Sequence, residues 1–232
     1  MIDLRKLRPW NVTSPEFSHL LLALYWAAFG IAFALVEVLR PMEACYPMWC
    51  KLDDLIPFNE LFMIPYLFWF PFLIGMNFYL VLWEPSAFRR FMYFIIITYS
   101  VTILIYIIYP TRQDLRPSEF ARDNFLTRWI AAFYDYDTNT NVCPSLHVIG
   151  SMAVAFGAWD TQRFRAMTWK IAFTVVALLI SFSTVFVKQH SIIDVFAAFA
   201  VCLVGYIAVY RVPLRSKKKA QRVAFEAYGA NQ

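Results

Sequence analysis

Long apolar runs broken by short polar stretches set the pattern of this chain. They cover residues 17–39, 61–83, 91–109, 145–159, 167–187 and 192–210. About 20 apolar residues let a helix cross a hydrocarbon core of about 30 Å. Backbone in lipid must satisfy its own hydrogen bonds, so helices are expected rather than strands. The pattern therefore predicts an all-α polytopic membrane protein with six transmembrane helices. The run at 145–159 is short, which places its start below the membrane surface. Pro65 and Pro71 are expected to kink the second span. Within the polar stretch 111–142, residues 125–133 read as a short interfacial helix. The aromatic run Phe68-Trp69-Phe70 suits either a lipid path or lipid-facing packing. No internal repeat, heptad pattern or low-complexity segment interrupts this order.

Composition agrees with the pattern. Of 232 residues, 60% are hydrophobic and 19% aromatic, and only 16% are charged, against roughly 25% in soluble proteins. One membrane domain, 17–212, is expected between a basic, aromatic segment at 1–16 and a basic tail at 213–232. The first run is too long for the apolar core of a cleavable signal and reads as a retained helix. Net charge is +5, but the basic residues collect at the ends of the runs and no nucleic-acid motif is present. Across six spans, fourteen Lys and Arg fall on the side of the termini and seven on the other. The positive-inside rule then puts both termini in the cytoplasm, and the plasma membrane is the expected location. The tail from 211 to 222 suits an anionic-lipid contact or a topology signal. Four cysteines without a Cys-x-x-Cys spacing exclude a zinc ribbon. In the loop 40–57, Cys45 and Cys50 read either as a short bridge or as two thiols. Glu37, near the end of the first run, faces the interface or the bundle.

Two short segments carry the candidate chemistry. His190 and Asp194 lie four residues apart where the last apolar run begins, so a helix sets them on one face. Ionisable groups there are costly and are read as functional. Alone, the pair also suits an interfacial histidine with a carboxylate that starts its helix. The second segment, Cys143-Pro-Ser-Leu-His147, opens the short fourth run on the same predicted side. A phosphoryl centre needs a nucleophile, a proton donor and partners for the phosphate oxygens. His190 is the candidate nucleophile, with Asp194 holding its tautomer. His147 is the candidate general acid and base. Ser145 and the amides at 145–147 offer donors at a helix N-terminus. No metal-ligand spacing is present, so a mechanism without metal or other cofactor is expected.

Together the segments resemble the signature motifs of the type 2 phosphatidic acid phosphatase superfamily: Lys-x6-Arg-Pro, Pro-Ser-Gly-His and Ser-Arg-x5-His-x3-Asp. Arg116-Pro117 matches the end of the first. Pro144-Ser145-Leu146-His147 matches the second with Leu for Gly, and Ser183, His190 and Asp194 fall in register with the third. Tyr109 stands where the first Lys belongs and Thr184 where the third-motif Arg belongs. The resemblance thus makes Arg116 a candidate phosphate-binding cation, with Lys188 and Arg112 as candidates for the missing charges. Otherwise Lys188 reads as a charge placed at a span end and Arg112 as a loop residue facing water or lipid headgroups. The resemblance implies the same roles for Ser145, His147, His190 and Asp194.

The leading expectation is an integral-membrane lipid phosphatase acting through a phosphohistidine, with its site on the extracytoplasmic face and a lipid phosphate or phospholipid as substrate. The alternative enzyme is a headgroup phosphotransferase or phosphodiesterase resembling the sphingomyelin and inositol phosphorylceramide synthases. A non-catalytic lipid-binding scaffold is the third reading. A transporter fits poorly, because Asp194 and Glu37 are the only acidic residues well inside the runs. Lipid tail, headgroup, acceptor and oligomeric state are not encoded in these patterns.

Overall fold

A computed structural model describes residues 2–212; the expected basic tail at 213–232 lies outside the described residues. Among the described residues helices dominate, and five helical stretches are long and apolar enough to cross a membrane. The first is a 3-10 segment, Ser18–Leu24, continued by α1, Tyr25–Leu39. After the small helix α2, Lys51–Leu55, come α3, Met63–Trp83, and α4, Pro85–Ile108. Next are α5, Phe125–Tyr136, and α6, Leu146–Asp160. Finally α7, Met167–Phe186, precedes α8, Ile192–Tyr206, which ends in a π turn at Ile207–Arg211. Two short parallel strands, β1 at Tyr46–Pro47 and β2 at Thr111–Arg112, tie two loops together.

The fourth expected span is the exception. Fifteen residues of α6 rise only about 22 Å at 1.5 Å each, short of a hydrocarbon core of about 30 Å. This helix lies in the middle of the bundle, against α3, α4, α7 and α8. Its small residues permit that position. A Cβ on Gly150 would come within 2.7 Å of Trp69 Nε1 and 2.8 Å of the Tyr99 hydroxyl, so the bare backbone is what lets α3 and α4 close over it. Val148, Ile149, Ala153, Val154 and Ala158 are fully buried beside it.

Large apolar side chains such as Val38, Ile64, Phe78, Ile108 and Val204 point outward. That inversion is expected of helices solvated by lipid. Some interior hydroxyls are satisfied on their own helices: Thr98 donates to the Phe94 carbonyl at 2.7 Å and Ser181 to the Ala177 carbonyl at 2.7 Å. α3 continues as helix through Pro71, and Pro65 sits in its first turn, where a missing N–H costs nothing. The short helix expected over residues 125–133 is present as α5, capped by Asn124, whose side chain accepts from Thr127 N at 3.0 Å. Cys45 and Cys50 carry free thiols.

Candidate active site

The loop joining α7 to α8 carries the first half of the site. α7 ends at Phe186, and Lys188 adopts φ 53°, the left-handed turn that lets a helix stop and the chain reverse. Gln189 and His190 follow, and Ser191 caps α8 by accepting from Ile193 N. His190 is buried, with Nδ1 3.3 Å from Asp194 Oδ2. That oxygen also accepts from Ser191 N at 3.0 Å. With a carboxylate as its partner, a neutral His190 ring places its hydrogen on Nδ1 and keeps the lone pair on Nε2.

The start of α6 supplies the second half. Ser145 N donates to the Asp194 carbonyl at 3.2 Å, which joins the two sequence segments directly. The His147 ring lies 6.1 Å from that of His190, centroid to centroid. Tyr66 stacks on it at 4.3 Å and Trp69 lies at 4.4 Å, so α3 fixes its plane. Nε2 of His147 has no partner. Both histidines line a cavity of ≈ 240 Å³. The four residues expected to act together are therefore adjacent, although Ser145 is fully buried, does not line the cavity, and leaves its hydroxyl unpartnered.

The expected cations are arranged otherwise. Lys188 turns away, its ammonium donating to the carbonyls of Asp53 at 2.8 Å and Ile56 at 2.6 Å. Arg112 donates to the Met42 and Cys45 carbonyls at 3.1 and 3.2 Å and to Asp114 at 3.0 Å. Neither lines the cavity. The reason is local: helix-end and loop carbonyls lie within their reach, and each cation satisfies two of them. Burial lowers the Lys188 ammonium below its usual range, opposed by Asp53 and Asp54.

Arg116 is close but indirect. It donates to the carbonyls of Tyr134, Asp137 and Thr138, at 3.0, 2.9 and 3.1 Å, and to Gln189 Oε1 at 2.7 Å. Its guanidinium also lies over the Tyr134 ring, 4.5 Å from the centroid. Burial pulls it below its ordinary value against the nearby Asp137, Tyr134 and Tyr66. By claiming the amide oxygen of Gln189, Arg116 leaves the Gln189 NH2 group unpartnered, in a side chain that lines the cavity.

Sequence reasoning missed three polar residues here. Gln189 adjoins His190 but belongs to no motif. Asn141 lines the cavity with both side-chain amide atoms unpartnered and is 5% exposed. Its φ of 54° is a conformation that asparagine tolerates. Asp53, in α2, is 1% exposed; it accepts from Ser191 Oγ at 2.6 Å, Ile192 N at 2.8 Å and Cys50 N at 2.9 Å. It clamps the start of α8 from a loop nearly 140 residues away in sequence. No spacing rule pointed to it. Among the described residues no group of His, Cys, Asp and Glu could hold a metal ion.

The family model described as PAP2 superfamily matches residues 89–218, more than half of the chain. The chain belongs to the PAP2 superfamily. That match takes in the Arg116, Ser145–His147 and His190–Asp194 segments in the order described. No curated protein and no solved structure matches this PAP2 chain. Membership brings with it a phosphatase-like chemistry related to lipids, within a bundle that has membrane-length helices.

Proposed function

We propose that this chain is an integral-membrane enzyme that breaks or transfers a lipid-borne phosphoric ester through a phosphohistidine at His190. The observation that carries it is the His190–Asp194 contact, which leaves Nε2 with a lone pair in a cavity shared with His147. In the first step the Nε2 lone pair attacks phosphorus, an N–P bond forms, and the P–O bond to the leaving alcohol breaks. The departing alkoxide takes a proton from His147. Asp194 stabilises the charge that develops on the ring of His190. In the second step water or a lipid hydroxyl gives its proton back to His147 and attacks phosphorus, and the N–P bond breaks. α6 serves as a sixth, recessed crossing, with both termini cytoplasmic and the cavity on the extracytoplasmic face.

Water as acceptor makes the enzyme a lipid phosphatase or phosphodiesterase; a lipid hydroxyl makes it a headgroup transferase. One observation favours the phosphodiester branch. A monoester brings nearly two negative charges, and removing them from water requires cations. Two of the three expected cations are spent on carbonyls outside the cavity. Neutral amide donors on Asn141 and Gln189 suit one charge rather than two. The test is turnover of lipid monophosphates, pyrophosphates and phosphodiesters by purified protein, following free phosphate and released headgroup, with acid-quench trapping of phosphoprotein. The expected result is diester turnover with a phosphohistidine that His190→Ala lacks. Full activity of His190→Ala sinks the mechanism, and turnover confined to monoesters restores the phosphatase branch.

A further inference from the structure

We propose that Glu37 and Asp137 form a subsite for the cationic headgroup of a zwitterionic phosphodiester lipid, an amine or quaternary ammonium one ester arm from the phosphorus at His190. This rests on the phosphohistidine reading above and deepens it by naming the substrate class.

Charge in the cavity is the first argument. Glu37 from the end of α1 and Asp137 from the end of α5 both line it, together with His147 and His190, and no Lys or Arg does. Glu37 is held by the Thr138 hydroxyl at 2.5 Å, a neutral partner. The cation nearest Asp137 is Arg116, 3.8 Å away and already committed to three carbonyls and Gln189. A pocket with two carboxylates and one shared, withdrawn cation repels a dianion. It attracts a group that carries a positive charge beside a single negative one.

The remaining wall completes the fit. Asn141 and Gln189, 5% and 3% exposed, bring amide NH2 groups without partners into the wall of the same cavity. Buried amides are rarely left unpaired unless a ligand supplies the acceptor, and a diester's two free oxygens are such acceptors. Phe29, Phe33, Trp69 and Tyr106 line the cavity too, and aromatic faces bind ammonium groups, quaternary ones above all. At ≈ 240 Å³ the space is below the roughly 300–1,000 Å³ of a drug-sized pocket. It holds a headgroup and leaves the lipid tails outside, against the apolar faces of the helices.

The test uses the full chain in nonionic detergent with phosphatidylcholine, phosphatidylethanolamine, phosphatidylglycerol and phosphatidic acid. The first two carry a cationic headgroup, the third is a diester without one, and the fourth is a monoester. Expected kcat/KM is at least about tenfold higher for the first two than for phosphatidylglycerol, and that ratio falls about tenfold in Glu37→Gln and in Asp137→Asn. Gln at position 37 keeps an oxygen for the Thr138 hydroxyl, so folding is preserved. Equal turnover of phosphatidylglycerol or phosphatidic acid, or a ratio unmoved by both substitutions, overturns the subsite. Binding of dihexanoyl-phosphatidylcholine and dihexanoyl-phosphatidylglycerol to His190→Ala protein, by calorimetry, separates the two readings. If no lipid is turned over by the wild type but the choline lipid still binds in preference, and Glu37→Gln removes that preference, the chemistry fails and the subsite stands. Equal binding of the two lipids overturns the subsite whatever the turnover.

Discussion

Two polar regions meet at His190, and they differ in how their hydrogen bonds are spent. On the side of α2, from Asp53 through Lys188 to Ser191 and Ile192, the Asp53 carboxylate accepts three bonds and Lys188 donates two to backbone carbonyls. On the cavity side, His147 Nε2, Asn141 Nδ2 and Oδ1, and Gln189 Nε2 have none. A satisfied network positions; an unsatisfied one beside a cavity waits for a ligand. The charged residues therefore sort by neighbourhood rather than by charge type. Cations expected to grip phosphate serve the scaffold, and neutral amides face the space where phosphate would sit.

The largest effect expected from breaking this contrast is at its junction. Removing the proposed nucleophile in His190→Ala should lower kcat by about four orders of magnitude or more, and acid-quenched protein should then carry no phosphate. On the scaffold side, Asp53→Asn keeps the shape but puts an NH2 group where Ile192 N and Ser191 Oγ donate. We expect it to lower kcat by roughly ten- to a hundredfold with KM little changed, and to cost about 2–3 kcal/mol of stability. Rescue by Asp53→Glu, even in part, would separate a positioning carboxylate from a mere packing group. An unchanged kcat in a destabilised Asp53→Asn protein would show that the clamp holds the fold and not the histidine.

Arg116→Lys tests the link between the regions. Lysine cannot hold three carbonyls and an amide at once, so kcat/KM should fall about tenfold. Because Arg116 acts through Gln189, Gln189→Ala should cost a similar amount, and the double variant little more than either. Additive losses would instead make Arg116 a direct phosphate ligand.

A pH series sharpens the cavity side. Burial lifts the Asp137 carboxyl above the usual carboxylate range, against Arg116 and His190, with Glu37 adding to the rise. The group is charged above that raised value and neutral below it. Preference for a cationic headgroup should thus decline as pH falls through it, and be low and flat in Asp137→Asn. The smallest effects belong to Lys188→Met and Arg112→Met. Both should lower thermal stability while changing kcat/KM of the folded fraction by no more than about threefold, well under the loss expected for a charge-assisted phosphate contact. A tenfold loss specific to monoesters in either variant would return that cation to the site.

Much of this was present in the order of residues alone. Apolar runs of membrane length specify helices because lipid offers the backbone no other partner. His190 and Asp194 meet because a helix brings residues four apart onto one face, which needs no tertiary contact. The motif pair at 143–147 and 183–194 likewise named the correct neighbours, since alternate crossing of the bundle returns their ends to one side. What the order of residues left open is where long and loop-borne side chains go. Lys188 and Arg112 could reach in several directions, and their ends were settled by carbonyls of the loop at 42–56. Asp53, Asn141 and Glu37 belong to no local pattern; folding alone carries them to the histidines, across separations that sequence spacing does not encode. The short length of α6 was legible, but its central place was not. That depended on Gly150 and its small neighbours meeting Trp69 and Tyr99, a matter of packing between helices.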